Sequence, residues 1–549
     1  MSTFNELIDF TRSTTGTYLD SVVYGDDKAN AFAGSGGVTW TVVDKNTVNG
    51  TQPSNLAYFT GIASGLTIGA QYKLELTITN YAGSNDFGMG SAGGVGSFVR
   101  LSGNGTITFF FTATAVSLDA FMRDTNSGTI SVSVKEVIGG QVSGTPLLRT
   151  AAINEPRLEY DASGNPLGLL IEEGRTNVLL HSEDFTNANW GKTNLTATAN
   201  AATAPDNTQT ADKLQLNSTT AGVYMVQDNS TSSSGYKTVT VYAKDNNAGY
   251  VILRVGDQPS SADRYLVLVD LSNGHVVDTA ISGNPLNVSH TVTPVGNNWY
   301  RVSVTANLNE SGIRVAITPY CVSSITHTDG TPENAGGAVG NSVYIWGAQL
   351  EQGAFPTSYI PTSGSTVTRT ADVCTVTAFK YHQNNTQGTL VVQGTPNVGD
   401  TIYRRFAEFG YSNLRFSIQA QSGSIKFYTR DATNSTNNQI GGNISYTPLT
   451  SQKLAFTVSS GFAARSANGG TVVSEPNVFG LNEENVTLYI GQQVNSTDQI
   501  NGHIKSIQYY PKRLSNTELQ LLTQPSASPT MNLTFDGQAT STLVEGFHD

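Results

Sequence analysis

Apolar residues alternate with polar ones in short bursts that end in Gly, Asn or Ser turns, and this period of two confines the chain to antiparallel β-sheet. Tyr72, Leu74, Leu76 and Ile78 alternate with Lys73, Glu75, Thr77 and Thr79, so one row enters a core and the other faces water. Ile130, Val132 and Val134 repeat the rule. Val239, Val241 and Ala243 follow it, and Tyr265, Val267, Val269 and Leu271 run into Asn273-Gly274, a strong hairpin signal. Tyr300, Val302 and Val304 continue it, and Tyr344, Trp346, Ala348 and Leu350 are read as one face of a later strand. Leu414, Phe416 and Ile418 lead through Ser422-Gly423 to Ile425 and Phe427, with a further turn at Asn468-Gly469.

Composition agrees and removes several classes of function. Only 13% of the 549 residues are charged and 55 are Gly, against averages of roughly 25% and 7%. Small polar residues stand where charge would be, which suits turns and strands and excludes coiled coils and helical solenoids. The 23 Tyr and 22 Phe supply apolar area for several cores, so a generally disordered chain is excluded too. A formal charge of −12 with no Lys/Arg block argues against a nucleic-acid partner. No apolar run reaches the ~18 residues of a membrane span, so no membrane insertion is expected. The opening run carries Glu6 and Asp9 where a signal peptide would be basic. Cys321 and Cys374 are too few for a disulfide framework, so folding in a reducing cytosol is expected.

The bursts fall into three stretches, 28–137, 182–372 and 373–524, each read as an antiparallel, jelly-roll-like β-sandwich. The fold class expected is therefore all-β, with three sandwich domains joined by an extended or hairpin linking segment at 138–181, an N-terminal segment at 1–27 and a tail at 525–549. In the linking segment, Ser163-Gly164-Asn165-Pro166 between apolar runs predicts the turn of a hairpin. The similar runs Tyr72-Lys-Leu-Glu-Leu-Thr-Ile78 and Tyr236-Lys-Thr-Val-Thr-Val-Tyr242 fit either a duplicated module or two unrelated strands. One helix carries full signals: Ser515 as N-cap with Glu518 as its capping-box partner, Leu514 and Leu519 as a staple, and Pro525 as the stop.

Several long runs in order resemble a family of bacteriophage virion proteins, the tail-fibre and head-fibre proteins. They are Phe10-Thr-Arg-Ser-Thr-Thr-Gly-Thr-Tyr18, Asn154-Glu-Pro-Arg-Leu-Glu-Tyr160, Gly168-Leu-Leu-Ile-Glu-Glu-Gly-Arg-Thr-Asn177 and Ser182-Glu-Asp-Phe-Thr-Asn-Ala-Asn-Trp190. Ile345-Trp-Gly-Ala-Gln-Leu-Glu-Gln-Gly-Ala-Phe-Pro-Thr-Ser-Tyr-Ile-Pro361 and Thr366-Val-Thr-Arg-Thr-Ala-Asp372 look like the closing edge of the carbohydrate-binding-module-like domain of such proteins. The third stretch is similar to concanavalin-A-like or laminin-G-like lectin sandwiches, through Leu488-Tyr-Ile-Gly491 and the run from Asn501 to Leu519. In the family the first two runs lie close together in sequence; here residues 28–137 separate them, so that stretch is read as an insertion.

Candidate chemistry is sparse. Glu172 and Glu173 are adjacent, so on a strand they point to opposite faces, whereas Glu159 and Asp161 share one, as a glycan depolymerase would require. The competing reading pairs these acids with Arg149, Arg157 or Arg175 to fix a hairpin or a subunit contact. No Gly-x-Ser-x-Gly elbow has the right context and the histidines are scattered. Both cysteines read as small buried hydrophobes, without a zinc spacing. Asn85-Asp86 and Asp206-Asn207 carry the oxygen ligands calcium takes, and equally the ordinary chemistry of turns; no other cofactor is expected. For a glycan the candidate platforms are Trp299 with Tyr300, and Tyr403, Phe406 and Tyr411 beside Arg405, within a cluster that also holds Phe409, Arg404 and Glu408. Trp346 is read as core.

The resemblance implies a non-enzymatic virion protein of a tailed phage, a tail fibre or receptor-binding protein. Its partners would be a host-surface glycan and other phage structural proteins, its state a homotrimer, and the Phe10–Tyr18 run would lie near the attachment point. A head-fibre or capsid-decoration protein and a polysaccharide depolymerase are the alternatives.

Overall fold

A computed structural model describes residues 9–20, the strands of 24–137 with Leu66 and Asn104, and 147–161. It also describes 166–376 apart from 220–221, 230–233, 258–262, 309–311 and 326–334, 387–524 apart from 398–401, 412–413, 431–436, 477–486 and 496, and the terminal strands 531–535 and 542–546. The described chain is all-β in antiparallel sheets, with one short helix, Asn516–Leu522, and one parallel strand pair. It divides into two compact units, Val22–Gly144 and a larger one built from Ser2–Ser21 and Thr145–Gly546. Asp20 and Leu147 are opposite residues of an antiparallel pair, Gly16–Asp20 with Leu147–Ala151, so the smaller unit leaves and rejoins the chain at the tip of a hairpin. A hairpin tip is where added chain disturbs the least packing.

In the smaller unit one sheet runs Gly105–Thr112, Gln71–Ala82, Ser127–Val137, Thr47–Thr51, Thr39–Asp44. Its other sheet runs Val99–Leu101, Phe87–Met89, Ser117–Met122, Ala57–Ser64, Gly34–Ser35. Tyr72, Leu74, Leu76 and Ile78 are buried with Ile130, Val132 and Val134, the row the alternation assigned to the core.

The middle sandwich repeats this order. One of its sheets runs Leu286–Pro294, Tyr300–Leu308, Gly235–Asp245, Ser342–Gln352, Ala211–Leu216, Leu195–Ala202. The other runs His275–Ser282, Arg264–Asp270, Tyr250–Asp257, Ile313–Tyr320, Tyr224–Asn229, Gly191–Thr193. Taken in chain order, the strands occupy matching places in both, apart from Tyr24–Asp27 in the first and the added pair His275–Ser282 and Leu286–Pro294 in the second. The runs at Tyr72 and Tyr236 fall on the same central strand, each beside the last strand of its own sandwich. The weak sequence repeat is thus a duplicated topology.

The C-terminal sandwich is assembled from distant parts of the chain. Asp9–Thr11 pairs with Val373–Val376 at the edge of the sheet that continues through Thr487–Ile490, Arg404–Tyr411, Leu414–Gln421, Ser424–Arg430 and Asn437–Gln439. The facing sheet begins with the hairpin of the linking segment, Leu158–Tyr160 and Pro166–Ile171, and passes to Gly502–Tyr510, Gln387–Pro396 and Gln452–Ser459. The turn residues Ser163–Asn165 lie outside the described residues. Leu169 and Ile171 enter one core with Phe406, Phe409, Phe416, Phe427 and Phe456, so the linking segment is part of this sandwich. Met531–Phe535 of the tail lies parallel to Gly502–Tyr510.

The helix forms as its sequence requires. Ser515 and Glu518 make a reciprocal capping box, and Leu514 and Leu519 are buried together. Pro525 lies outside the described residues. On Ser342–Gln352 the expected single face is corrected: Val343 and Ile345, then Ala348 and Leu350, face the inter-sheet core, while Tyr344 and Trp346 join a separate cluster. The cause is a bulge opposite Thr240–Tyr242, where Gly347 takes φ +62° and the extra residue inverts the alternation.

Candidate functional site

Of the acids that drew attention in the sequence, Glu172 joins a buried node centred on Asp372. Asp372 accepts from Arg12 Nη1 at 3.2 Å, from Arg157 Nη2 and from the Glu172 amide at 2.8 Å. Glu172 accepts from Arg157 Nη1 at 2.7 Å and from the Ser358 amide and hydroxyl at 2.9 and 2.7 Å, with Arg369 Nη2 at 3.4 Å. Arg12 also donates to the carbonyls of Thr14, Ala152 and Glu155, and Asn154 accepts from its amide. Glu173 points the other way, to Arg404 Nη1 at 2.6 Å, Arg175 Nε at 2.6 Å and Asn501 Nδ2 at 2.8 Å. Phe355 lies under both the Arg175 and Arg404 guanidinium groups. Glu351, 3.8 Å from Arg175 Nη1, stands beside this second arm and accepts from Gln349 and Thr357.

The runs Phe10–Tyr18, Asn154–Tyr160, Gly168–Asn177, Ile345–Pro361 and Thr366–Asp372 thus meet here or beside it, and the two runs parted by the insertion touch directly. With Arg12, Arg157, Arg369 and Asp372 essentially inaccessible to solvent, the node is fixed scaffold; of the pairings expected for the acids, Glu172 with Arg157 and Glu173 with Arg175 form. Burial alone would raise the Glu172 carboxyl, but Arg369, Arg157 and the Ser358 hydroxyl outweigh it and hold it well below the usual range. Glu159 is hydrogen-bonded to His503 at 2.7 Å, and Asp161 lies close enough to Lys505 to act on it electrostatically.

The aromatic candidates separate. Trp299 is 1% exposed, packed with Trp346, Tyr242, Tyr359 and Leu148, and donates to the Thr203 carbonyl. It is core and not a platform, because this face of the sheet is covered by Leu148 and by Tyr359 of the closing run. Tyr300 is half-buried against Gly274 of the hairpin turn, where a Cβ would come within 2.3 Å of its ring. Phe406 is also core: a bulge between Arg405 and Ala407 turns Phe406 and Ala407 inward together. Phe409 follows them, and Arg404 belongs to the node. Tyr411 ends its strand, and its side chain lies outside the described residues.

The same bulge puts Arg405 and Glu408, three residues apart, on one side, with Arg405 Nε 3.1 Å from Glu408 Oε2. That side, the sheet face turned away from the core, carries a continuous polar row. Across neighbouring strands the opposite residues are Thr375, Tyr489, Glu408, Ser417, Tyr428 and Gln439. Arg405, Gln419 and Lys426 make the row on one side of it, and Gly410, Arg415 and Arg430 the row on the other. Glu408 also meets Arg415 at 3.3 Å and accepts from the Val494 amide. Burial pushes its carboxyl above the usual range against the pull of Arg405 and Arg415. Tyr403, 42% exposed, stands at the rim with the Arg405 guanidinium 5.3 Å from its ring centre. Tyr428 and Tyr489 are half-buried. Of the expected ligand-binding residues, Tyr403 and Arg405 therefore stand together. Arg415, Tyr428, Arg430 and Tyr489 join them from strands that no local sequence signal connects.

Asp206 accepts from the amide and hydroxyl of Thr208, the geometry of an ordinary Asx turn; Asn85-Asp86 lies outside the described residues. Among the described residues no group of three or more His, Cys, Asp or Glu side chains could hold a metal ion. Cys374 is buried in the C-terminal core and Cys321 is partly buried. Among the described residues no helix is long and apolar enough to cross a membrane.

No family model and no curated protein matches the chain. Among solved structures it is similar to the CBM40 of the Ruminococcus gnavus IT-sialidase, with 14% identity over 26% of this chain and 84% of that one, at a TM-score of 0.23. It is also similar to the heptameric SAP-like pentraxin of Limulus polyphemus, with 17% identity over 29% and 78% of the two chains and a TM-score of 0.22. A third is the receptor binding domain of botulinum neurotoxin mosaic serotype C/D, with 11% identity over 28% and 39% and a TM-score of 0.21. Likenesses at these scores assign neither a family nor a ligand to this chain.

Proposed function

We propose that this chain is a non-enzymatic virion protein of a tailed bacteriophage, a tail-fibre or receptor-binding protein that holds a host-surface glycan on the outward face of its C-terminal sandwich. The observation that carries the glycan half is that face. It sets the half-buried rings of Tyr428 and Tyr489, on which a sugar can rest, beside the partly exposed Lys426, Arg430 and Gln439, which can bond its hydroxyls, over a buried row of Glu408, Ser417 and Gln419. The virion half rests on the resemblance of the ordered runs, whose charged residues act as one scaffold. Copies assemble as a homotrimer in this reading, which would also cover exposed sheet edges.

Labelled antibodies raised against residues 373–524 should decorate intact virions. Virions that carry the chain yet stay undecorated would remove the display reading. Electron microscopy of the decorated particles separates a tail fibre from a head fibre by position. A depolymerase is favoured less, because Glu159 is committed to His503. It predicts release of reducing ends from capsule, lost in Glu159→Gln.

A further inference from the structure

We infer that the outward face of the C-terminal sandwich selects acidic sugars, with a sugar carboxylate seated against Arg405 and flanked by Arg415 and Arg430. This rests on the glycan-binding reading and narrows it to a ligand class. The first ground is charge. Among the described residues the face and its rim carry Arg405, Arg415, Lys426 and Arg430 against Glu408 and Asp498, four cations to two anions on a chain whose formal charge is −12. Arg415 and Arg430 are directly opposite each other on neighbouring strands, so two like charges face one another there, with Glu408 reaching Arg415 at 3.3 Å.

The second ground is an unmet donor. The Arg405 side chain is only 9% exposed; its Nε bonds Glu408 and its Nη2 lies 3.8 Å from Asp498. Its Nη1 is buried and has no hydrogen-bond partner among the described residues, and Arg430 Nε shares that condition. A buried N–H left unmade is costly, so a ligand that reaches the exposed 9% of the Arg405 side chain and draws its guanidinium outward recovers that cost on binding. Glu408 cannot serve, since its two oxygens already answer Arg405, Arg415 and the Val494 amide. A planar carboxylate matches the guanidinium fork, and Tyr403 at the rim offers a ring for the sugar that bears it.

The test is binding of the full chain to an array that pairs each sialylated or uronic-acid glycan with its desialylated or carboxyl-reduced counterpart, together with sulfated versions of the neutral members. The expected result is binding of acidic members about tenfold or more tighter than their neutral partners, weakening as salt is raised. Arg405→Gln should abolish the difference. Arg430→Gln, at a half-buried position outside the core, should reduce it about tenfold and keeps the test valid if Arg405→Gln fails to fold. Equal binding of acidic and neutral partners overturns the acidic selection and leaves the glycan reading standing. Sulfated members bound as tightly as carboxylated ones overturn the carboxylate assignment. Binding to no member overturns the glycan reading itself.

Discussion

Asp372 shows how much one side chain can carry in this protein. It joins Arg12, from near the start of the chain, to Arg157, and it does so without access to solvent. Removing its charge leaves two buried guanidinium groups with too little compensation, so Asp372→Asn should cost roughly 3–5 kcal/mol, read as a lower unfolding midpoint of the larger unit. Glu172 gives the node a pH dependence whose sign is fixed by its depressed carboxyl. The unfolded chain takes up a proton near the ordinary value of 4.5 while the folded chain resists it. The stabilisation is therefore complete above that pH and is lost as pH falls below it. Thermal unfolding followed from neutral pH to about pH 3 should show this loss. Glu172→Gln should start lower and fall less steeply; an unchanged acid slope in the variant would assign the dependence elsewhere.

Strands and turns obeyed local chemistry wherever the pattern was regular. Asn273-Gly274 and Ser422-Gly423 turn as their residues demand, both residues of the second turn taking positive φ. Ser515 and Glu518 cap the one helix, because both partners of a capping box lie within one turn of chain. Bulges were the exceptions. One extra residue at Gly347 and another at Phe406 exchanged the faces of everything beyond them, moving Phe406 from a presumed platform into the core and freeing Glu408 to meet Arg405. A bulge depends on how two strands align, so the alternation of either strand alone does not reveal it. Gly347→Ala tests the first of these. The new Cβ would lie 2.9 Å from the Tyr242 ring at φ +62°, and about 1–3 kcal/mol of strain is expected, visible as a lowered midpoint with altered Trp346 fluorescence.

For the molecule as a whole, the duplicated topology and the hairpin tip suggest how the chain is organised. The smaller unit interrupts a hairpin whose strands, Gly16–Asp20 and Leu147–Ala151, are held by their own pairing and by Arg12 and Arg157. Replacing residues 22–144 with a short Asn-Gly turn should therefore leave the larger unit folded, with the thermal midpoint of its node and its acid sensitivity retained. Loss of that transition would mean that the smaller unit supports the hairpin it interrupts.

The all-β class, the jelly-roll character and the capped helix were legible residue by residue, because a period of two and a capping box are set by neighbours in the chain. The likeness between the runs at Tyr72 and Tyr236 pointed to a repeat that only the strand order established, since topology outlasts sequence similarity. The charged runs were visible as motifs but not as a node, for Arg12 and Asp372 stand 360 positions apart and nothing local couples them. The face of Arg405, Arg415, Tyr428 and Arg430 belongs to the same class. Its members come from adjacent strands whose register is chosen by the core beneath them, and until that core closes they share no surface.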